Sequence, residues 1–471
     1  MKREVRTVTK EEIALQYEFI DKVRKSNSGQ AHTHIAVIRT FGCQQNEADS
    51  ERLAGMAEAM GYEISDNEAD ADLIIVNTCA IREHAELKAL SITGQFKHLK
   101  NEKPSLIICI CGCMVTQEHR LNDIKNKYPY VDFLFGTAEV YRFPEFLYRA
   151  ISTDNRFFIA DSSEGTIAEG LPVKRSNPYK AWLSIMYGCN NFCTYCVVPY
   201  VRGRERSRSR EEILLEARGL IESGYKEITL LGQNVNSYGK DLGYDYDFSD
   251  LLSDICKIEG DFIIRFMTSH PKDASHKLID TIADNPKIAK QFHLPLQSGS
   301  TKILADMNRR YTKEAYLDLI DYMKAKIPEI SLTTDIIVGF PGETEEDFLE
   351  TLDVLKKVRY DNIYSFIYSP RKGTPAAELE CKVPTEVQSD RFDRLLKLQH
   401  SISNENNQTV VGEIKKILVE GISKNNPEMY TGRLESGRLV HFACDTDLTG
   451  EIINVRIDRA ETFNLFGTVV K

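Results

Sequence analysis

Three cysteines dominate the chemistry legible in the middle of this chain. Cys189, Cys193 and Cys196 stand in the spacing CxxxCxxC. Three thiolates on a four-iron cluster leave one iron without a protein ligand, and that vacancy is what makes such a cluster catalytic. A structural zinc site would want a fourth Cys or His, and none stands close to the triplet. A second set is scattered: Cys43, Cys79 and Cys113 each lie just past an apolar run that reads as a strand, at 35–39, 73–76 and 106–110. If those strands are parallel neighbours, the three thiols emerge along one carboxyl edge, where open α/β sheets bind ligands. Cys109 and Cys111 stand beside Cys113 as alternative third ligands. Cys113 is preferred because it lies past the strand, in the turn. Cys256, Cys381 and Cys444 are isolated and read as ordinary thiols.

The elements that must position these groups form several domains, since 471 residues exceed one ordinary core. Residues 1–33 combine a short charged helical pattern with a polar run at 25–30 and read as an N-terminal extension rather than a domain. From 34 to 150 strands and helices alternate, which predicts an open α/β domain with a mostly parallel sheet. A polar linker at 151–178 leads to a second alternation over 179–405. Strands are expected there at 182–186, 227–231, 262–267, 292–296, 332–338 and 362–367. Six such units predict a partial TIM-like (β/α)6 barrel with its chemistry at the strand carboxyl ends. From 408 to 471 short β-rich runs at 414–419, 437–442, 451–457 and 467–470 predict a small antiparallel β-barrel. The fold class is therefore α/β with a terminal barrel.

A net charge of −10 gives no global attraction to nucleic acid or anionic membrane, so any RNA surface must be local. The amino terminus lacks the apolar core of a signal peptide and no apolar run reaches membrane-spanning length, so a cytoplasmic location and no membrane partner are expected. Eleven cysteines in a reducing compartment favour metal or catalytic use over disulfides.

The CxxxCxxC loop resembles the signature of the radical S-adenosylmethionine (SAM) superfamily, and Tyr195 matches the aromatic that its members place against the adenine. The order of domains resembles the methylthiotransferases over about 34–471. NTCAIRE at 77–83 and LGQNVNSY at 231–238 are similar to the branch that acts on isopentenyladenosine in tRNA. Further matches are TSHP at 268–271, LPLQSG at 294–299 and DIIVGFPGET at 335–344.

The resemblance implies two [4Fe-4S] clusters, one on Cys189, Cys193 and Cys196 and an auxiliary one on Cys43, Cys79 and Cys113. It implies one SAM as methyl donor to sulfur at the auxiliary cluster and another cleaved to a 5'-deoxyadenosyl radical, which takes hydrogen from adenine C2. The alternatives are methylthiolation of threonylcarbamoyl-adenosine or of a ribosomal-protein aspartate and, from another class, a non-catalytic iron-sulfur RNA-binding or redox-sensing protein.

Polar side chains near strand ends suit the carboxylate and ammonium of SAM, which makes Gln233, Ser269, Gln297 and Asp335 candidates; the competing reading is that they tie loops or cap helices. Arg202, Arg204, Arg206, Arg208 and Arg210 occupy alternate positions, and an extended chain would aim all five to one side. Such a row would hold phosphates of an anticodon stem-loop; the competing reading is a solvated stretch paired in part by Glu205 and Glu211. TGR at 431–433 and NLFG at 464–467 resemble the TRAM domain, implying RNA binding through Arg433 if it is displayed with Lys415, Lys416, Arg438, Arg456 and Arg459. The expected partners are the tRNA stem-loop, an electron donor and a sulfur source, with the chain a monomer.

Overall fold

The structure, a computed structural model, describes residues 6–29, 32–81, 83–153, 155–160 and 165–470. Arg82, part of the NTCAIRE match, lies outside the described residues. The first apolar runs form a wholly parallel six-stranded sheet. Its strands are β1 (His34–Thr40), β2 (Tyr62–Ile64), β3 (Leu73–Thr78), β4 (Ile107–Gly112), β5 (Phe133–Phe135) and β6 (Phe157–Ile159), in the order β2-β1-β3-β4-β5-β6. Parallel sheets are covered on both faces, and β3 is buried at every residue. The strand order reverses between β1 and β3, so the sheet opens a crevice at their carboxyl ends.

Two boundaries differ from the sequence reading. The expected extension contains helix α1 (Lys10–Ser28), closed at its start by a capping box between Thr9 and Glu12. Its Ile20 and Val23 join the core of the sheet, so the helix is part of that domain. The expected linker supplies β6, whose Phe157 stacks on Phe133.

The second alternation gives β7 (Lys180–Ser184), β8 (Glu227–Leu231), β9 (Ile263–Phe266), β10 (Gln291–His293), β11 (Ser331–Val338) and β12 (Asn362–Ile367). Parallel pairing runs β7-β8-β9 and β10-β11-β12, and a parallel bridge between Ile264 and Ile288 joins the two halves. β7 and β12 remain unpaired with each other, so the barrel is open along one side. The sheet domain spans that opening. Gln45, on helix α2 (Gln44–Ala59), donates to Ser184 Oγ at the end of β7 (2.9 Å). Beyond β12, Ser369 donates to Glu83 (3.0 Å) and Arg371 to the Ile81 carbonyl (3.0 Å).

The terminal barrel is closed, from β13 (Ile414–Ile422), β14 (Tyr430–Leu434), β15 (Leu439–Phe442), β16 (Ile452–Ala460) and β17 (Asn464–Val470). Closure is not wholly antiparallel: β15 and β17 pair in parallel. This barrel docks on the amino ends of the large barrel's strands. Arg265 donates to the carbonyls of Leu434 (2.9 Å) and Glu435 (2.6 Å), Ser331 to that of Ser436 (3.1 Å), and Tyr179 to that of Glu420 (2.7 Å). No helix among the described residues is long and apolar enough to cross a membrane.

Candidate metal centres

At the switch of the sheet, Cys43 follows β1 as the N-cap of α2, Cys79 follows β3 and Cys113 follows β4. Gly42, at φ +121°, makes the convergence possible: a Cβ there would lie 2.3 Å from Cys79 Cβ and 2.8 Å from its sulfur. Asn46 knots the loops together. Its amide donates to the carbonyls of Phe41 (2.8 Å) and Thr78 (2.9 Å), while its own carbonyl accepts from Asn77 (2.9 Å).

The neighbouring Cys79 thiol, the Arg202 guanidinium and the first backbone amides of α2 lower the Cys43 thiol below its usual range, and Cys79 is pushed upward in turn. Burial raises Cys113 to about 11, opposed by the guanidinium of Arg202. Cys109 and Cys111 point instead into the sheet core beside Phe133 and Phe135, where burial holds both thiols well above their usual range. Of the three neighbouring cysteines, only Cys113 faces the other two loops.

The barrel triplet lies in the loop after Met186–Tyr187, at the carboxyl end of β7. Gly188, at φ +76°, lets the loop start beneath the return strand; a Cβ would meet the Arg204 carbonyl at 2.0 Å. Asn308 donates to the carbonyls of Asn191 (3.1 Å) and Phe192 (2.9 Å), and the Thr194 N–H to that of Met307 (3.1 Å). Burial raises Cys189 and Cys196 to about 12. Arg309 reaches Cys193 Sγ at 3.5 Å and donates to the Pro295 carbonyl (2.6 Å). Neither Arg309 nor Asn46 carries a signal in composition or spacing; both were missed by the sequence reading.

Near the carboxyl ends of the barrel strands and in the cysteine loop, several buried polar atoms of the described residues have no hydrogen-bond partner. They are Asn191 Oδ1, Asn234 Oδ1, both amide atoms of Asn236, Ser269 Oγ, His270 Nε2 and Tyr368 OH. Each follows a strand or belongs to the cysteine loop. Orphaned groups so concentrated fit a polar ligand, and SAM supplies carboxylate, ammonium and ribose hydroxyls. Tyr195 packs beside Ile337, Phe340 and Tyr368, an apolar wall suited to a purine.

The other SAM candidates divide. Ser269 is one of the orphans. Gln297 is held at φ +72° between the Asp335 carbonyl (2.8 Å) and the Ile337 N–H (2.9 Å), strain of the kind found at ligand sites. Asp335 sits inside β11 rather than at its end, with Oδ2 3.6 Å from His293 Nε2. Gln233 accepts the Gly188 N–H and so ties the cysteine loop.

The arginine row does not form. Arg202, Arg206 and Arg208 are buried, because the segment passes between the two domains instead of along the surface. Arg206 donates to the carbonyls of Thr166 (3.2 Å), Arg202 (2.8 Å) and Arg204 (3.0 Å). Arg208 pairs with Glu169 (2.6 Å) and Glu216 (2.8 Å). Arg210 is partly exposed but pairs with Asp254 (2.8 Å). Arg204 alone is exposed, its guanidinium 4.2 Å from the centre of the Phe192 ring, beside the barrel triplet. In the terminal barrel, Arg433 turns onto Glu420 (2.7 Å) and Arg438 pairs with Asp361, so these two guanidinium groups are engaged by carboxylates, whereas Lys416, Arg456 and Arg459 are exposed.

A CxxxCxxC loop at the carboxyl ends of the strands of an open (β/α)6 barrel is the arrangement of the radical SAM class of enzyme. The Radical SAM superfamily matches residues 183–355, the family described as Uncharacterized protein family UPF0004 matches 35–136, and the TRAM domain matches 408–470. The chain is 51% identical over 468 residues to a tRNA-2-methylthio-N(6)-dimethylallyladenosine synthase of Acetivibrio thermocellus, covering 98% of each chain. It is 50% identical over 470 residues to the synthase of that name from Alkaliphilus oremlandii, covering 100% of this chain and 99% of that one. It belongs to this family. The fold is also similar to that of a radical S-adenosylmethionine methyltransferase, TsrM, from Kitasatospora setae, with a TM-score of 0.55 at 14% identity over 73% of this chain and 74% of that one.

Proposed function

We propose that this protein adds a methylthio group to C2 of isopentenyladenosine next to the anticodon of tRNA, using one SAM as methyl donor and another as radical source. The observation that carries the reading is the convergence of Cys43, Cys79 and Cys113 at a sheet edge tied to the barrel's cysteine loop, where Arg202 donates to Cys113 Sγ (3.1 Å). A sulfur donor and a radical source must act on one carbon, and holding both in place supplies much of the rate. The names of the full-length relatives support the substrate.

Cys189, Cys193 and Cys196 would hold one four-iron cluster and Cys43, Cys79 and Cys113 the other. With SAM, the barrel cluster would supply the radical chemistry needed at C2 of the adenine. The chain's own residues bind and orient. Ser269, Gln297 and the orphaned groups of Asn234, Asn236 and His270 take the polar parts of SAM, and Tyr195 takes its adenine. At the rim Arg204 over Phe192 offers a cationic and aromatic surface to the RNA loop, as single-stranded RNA prefers. An electron donor and a sulfur source complete the reaction.

Anaerobic reconstitution with iron and sulfide, followed by SAM, reductant and an isopentenylated anticodon stem-loop, tests the reading through nucleoside masses. A methylthio gain on the modified adenosine is expected. An unchanged mass with accumulating 5'-deoxyadenosine would keep the radical chemistry and overturn the substrate.

A further inference from the structure

Arg202 belongs to the barrel, yet its side chain is spent on the sheet domain. It is 5% exposed. Its Nε donates to Cys113 Sγ (3.1 Å), and its Nη2 to Asn46 Oδ1 (2.7 Å) and Asp49 Oδ2 (2.9 Å). Because Asn46 also grips the loops before Cys43 and Cys79, the guanidinium is bonded into all three strands of the convergence.

Its backbone is committed to the other centre. Arg202 closes the short helix Val198–Val201 that follows Cys196, through an N–H bond to the Val198 carbonyl (2.9 Å). The next carbonyl, that of Gly203, accepts the N–H of Cys189 (3.1 Å). The Val201 carbonyl accepts from Thr137 of the sheet domain (2.9 Å). Two residues therefore join a ligand of one centre to a ligand of the other without crossing solvent.

We propose that Arg202 is a positioning residue of the auxiliary centre, a strut that fixes Cys113 against the barrel's cysteine loop and lends it positive charge. This rests on the reading that Cys43, Cys79 and Cys113 hold a cluster. A hydrogen bond and a buried cation at a ligating sulfur favour the more negative, reduced cluster, and so raise its reduction potential. Arg309 at Cys193 Sγ is the counterpart in the barrel, contributed by a different segment, and serves as the internal control.

The test is a reductive titration of the full-length, reconstituted protein followed by electron paramagnetic resonance, with and without SAM. SAM chelation shifts the signal of the barrel cluster, and Cys193→Ala, which lacks that cluster, assigns the remaining, SAM-insensitive signal to the auxiliary one. Arg202→Gln is expected to move the SAM-insensitive signal to a more negative midpoint and leave the other in place. Arg202→Lys should restore part of the shift, and Arg309→Gln should move only the SAM-sensitive signal. Loss of the auxiliary iron in Arg202→Gln and its recovery in Arg202→Lys would equally support the proposal. With tRNA present, 5'-deoxyadenosine released per methylthio product should rise several-fold in Arg202→Gln. Unmoved midpoints and unchanged coupling, with only a lower melting temperature, would overturn the proposal and leave a purely structural ion pair to Asp49. A wild-type protein holding about four irons and a single, SAM-sensitive signal would instead remove the auxiliary cluster itself, and the proposed function with it.

Discussion

The two cysteine groups bring three thiols together by opposite routes. In the barrel, one loop of eight residues carries all three thiols, and their spacing is fixed by the chain itself. At the sheet edge the thiols come from three loops, at 43, 79 and 113, and meet only because β1, β3 and β4 are parallel neighbours around a reversal of strand order. A local centre tolerates disturbance elsewhere in the fold. A convergent one depends on every contact that holds its loops, which is why Gly42, Asn46 and Arg202 crowd it.

The largest effects separate the centres by chemistry. Cys193→Ala should abolish both 5'-deoxyadenosine and product, whereas Cys79→Ala should abolish product while SAM cleavage continues. Each should lower iron from about eight to about four per chain, measured by iron and sulfide analysis. If Cys79→Ala retained full iron and product, the sheet-edge centre would not exist.

A disturbance without loss of any ligand comes next. Gly42→Ala must displace Cys79, at a cost of about 1–3 kcal/mol of local strain, so the auxiliary iron should fall while SAM cleavage by the barrel persists. Equal loss of iron from both centres would show that they are not independent in the way the loops imply.

The electrostatic contrast is smaller and appears before the clusters are loaded. In cluster-free protein the Cys79 thiol and the Arg202 guanidinium lower the Cys43 thiol, whereas burial raises Cys189 and Cys196 to about 12. The larger thiolate fraction means that iodoacetamide at pH 7.5 should label Cys43 before Cys189 or Cys196. Peptide mapping that found Cys189 labelled as quickly would break the contrast.

The smallest effect concerns the bystanders. Cys109→Ala should leave iron content and turnover intact and cost roughly 1 kcal/mol in denaturant unfolding, as expected for a small packed side chain. Loss of iron would make Cys109 a ligand after all.

Much of this molecule was legible in one dimension. The barrel triplet is a short-range spacing, and the six barrel strands follow from apolar runs of the right period. β8 and β12 match their predicted limits, β7 lies two residues earlier than expected, and β10 starts one residue and ends three residues earlier. The short strands β2, β5 and β6 were not legible, because three apolar or mixed residues carry too little periodicity, and α1 looked like an extension because its buried face is narrow. The arginines were legible in type and misleading in place. Alternation aims side chains to one side only if the strand lies on a surface, and this segment runs between two domains, so Arg202, Arg206 and Arg208 are buried against carbonyls, carboxylates and a sulfur.

The sequence by itself determined the class of chemistry, since three thiols within one loop must meet whatever surrounds them, and it determined the order of the domains through their changing hydrophobic periods. Tertiary structure alone decided that Cys113 rather than Cys109 or Cys111 faces the second centre, that Gln233 ties a loop, and that Arg202 bridges the two centres. Those outcomes depend on which faces of separate elements meet, a long-range relation that no local spacing encodes.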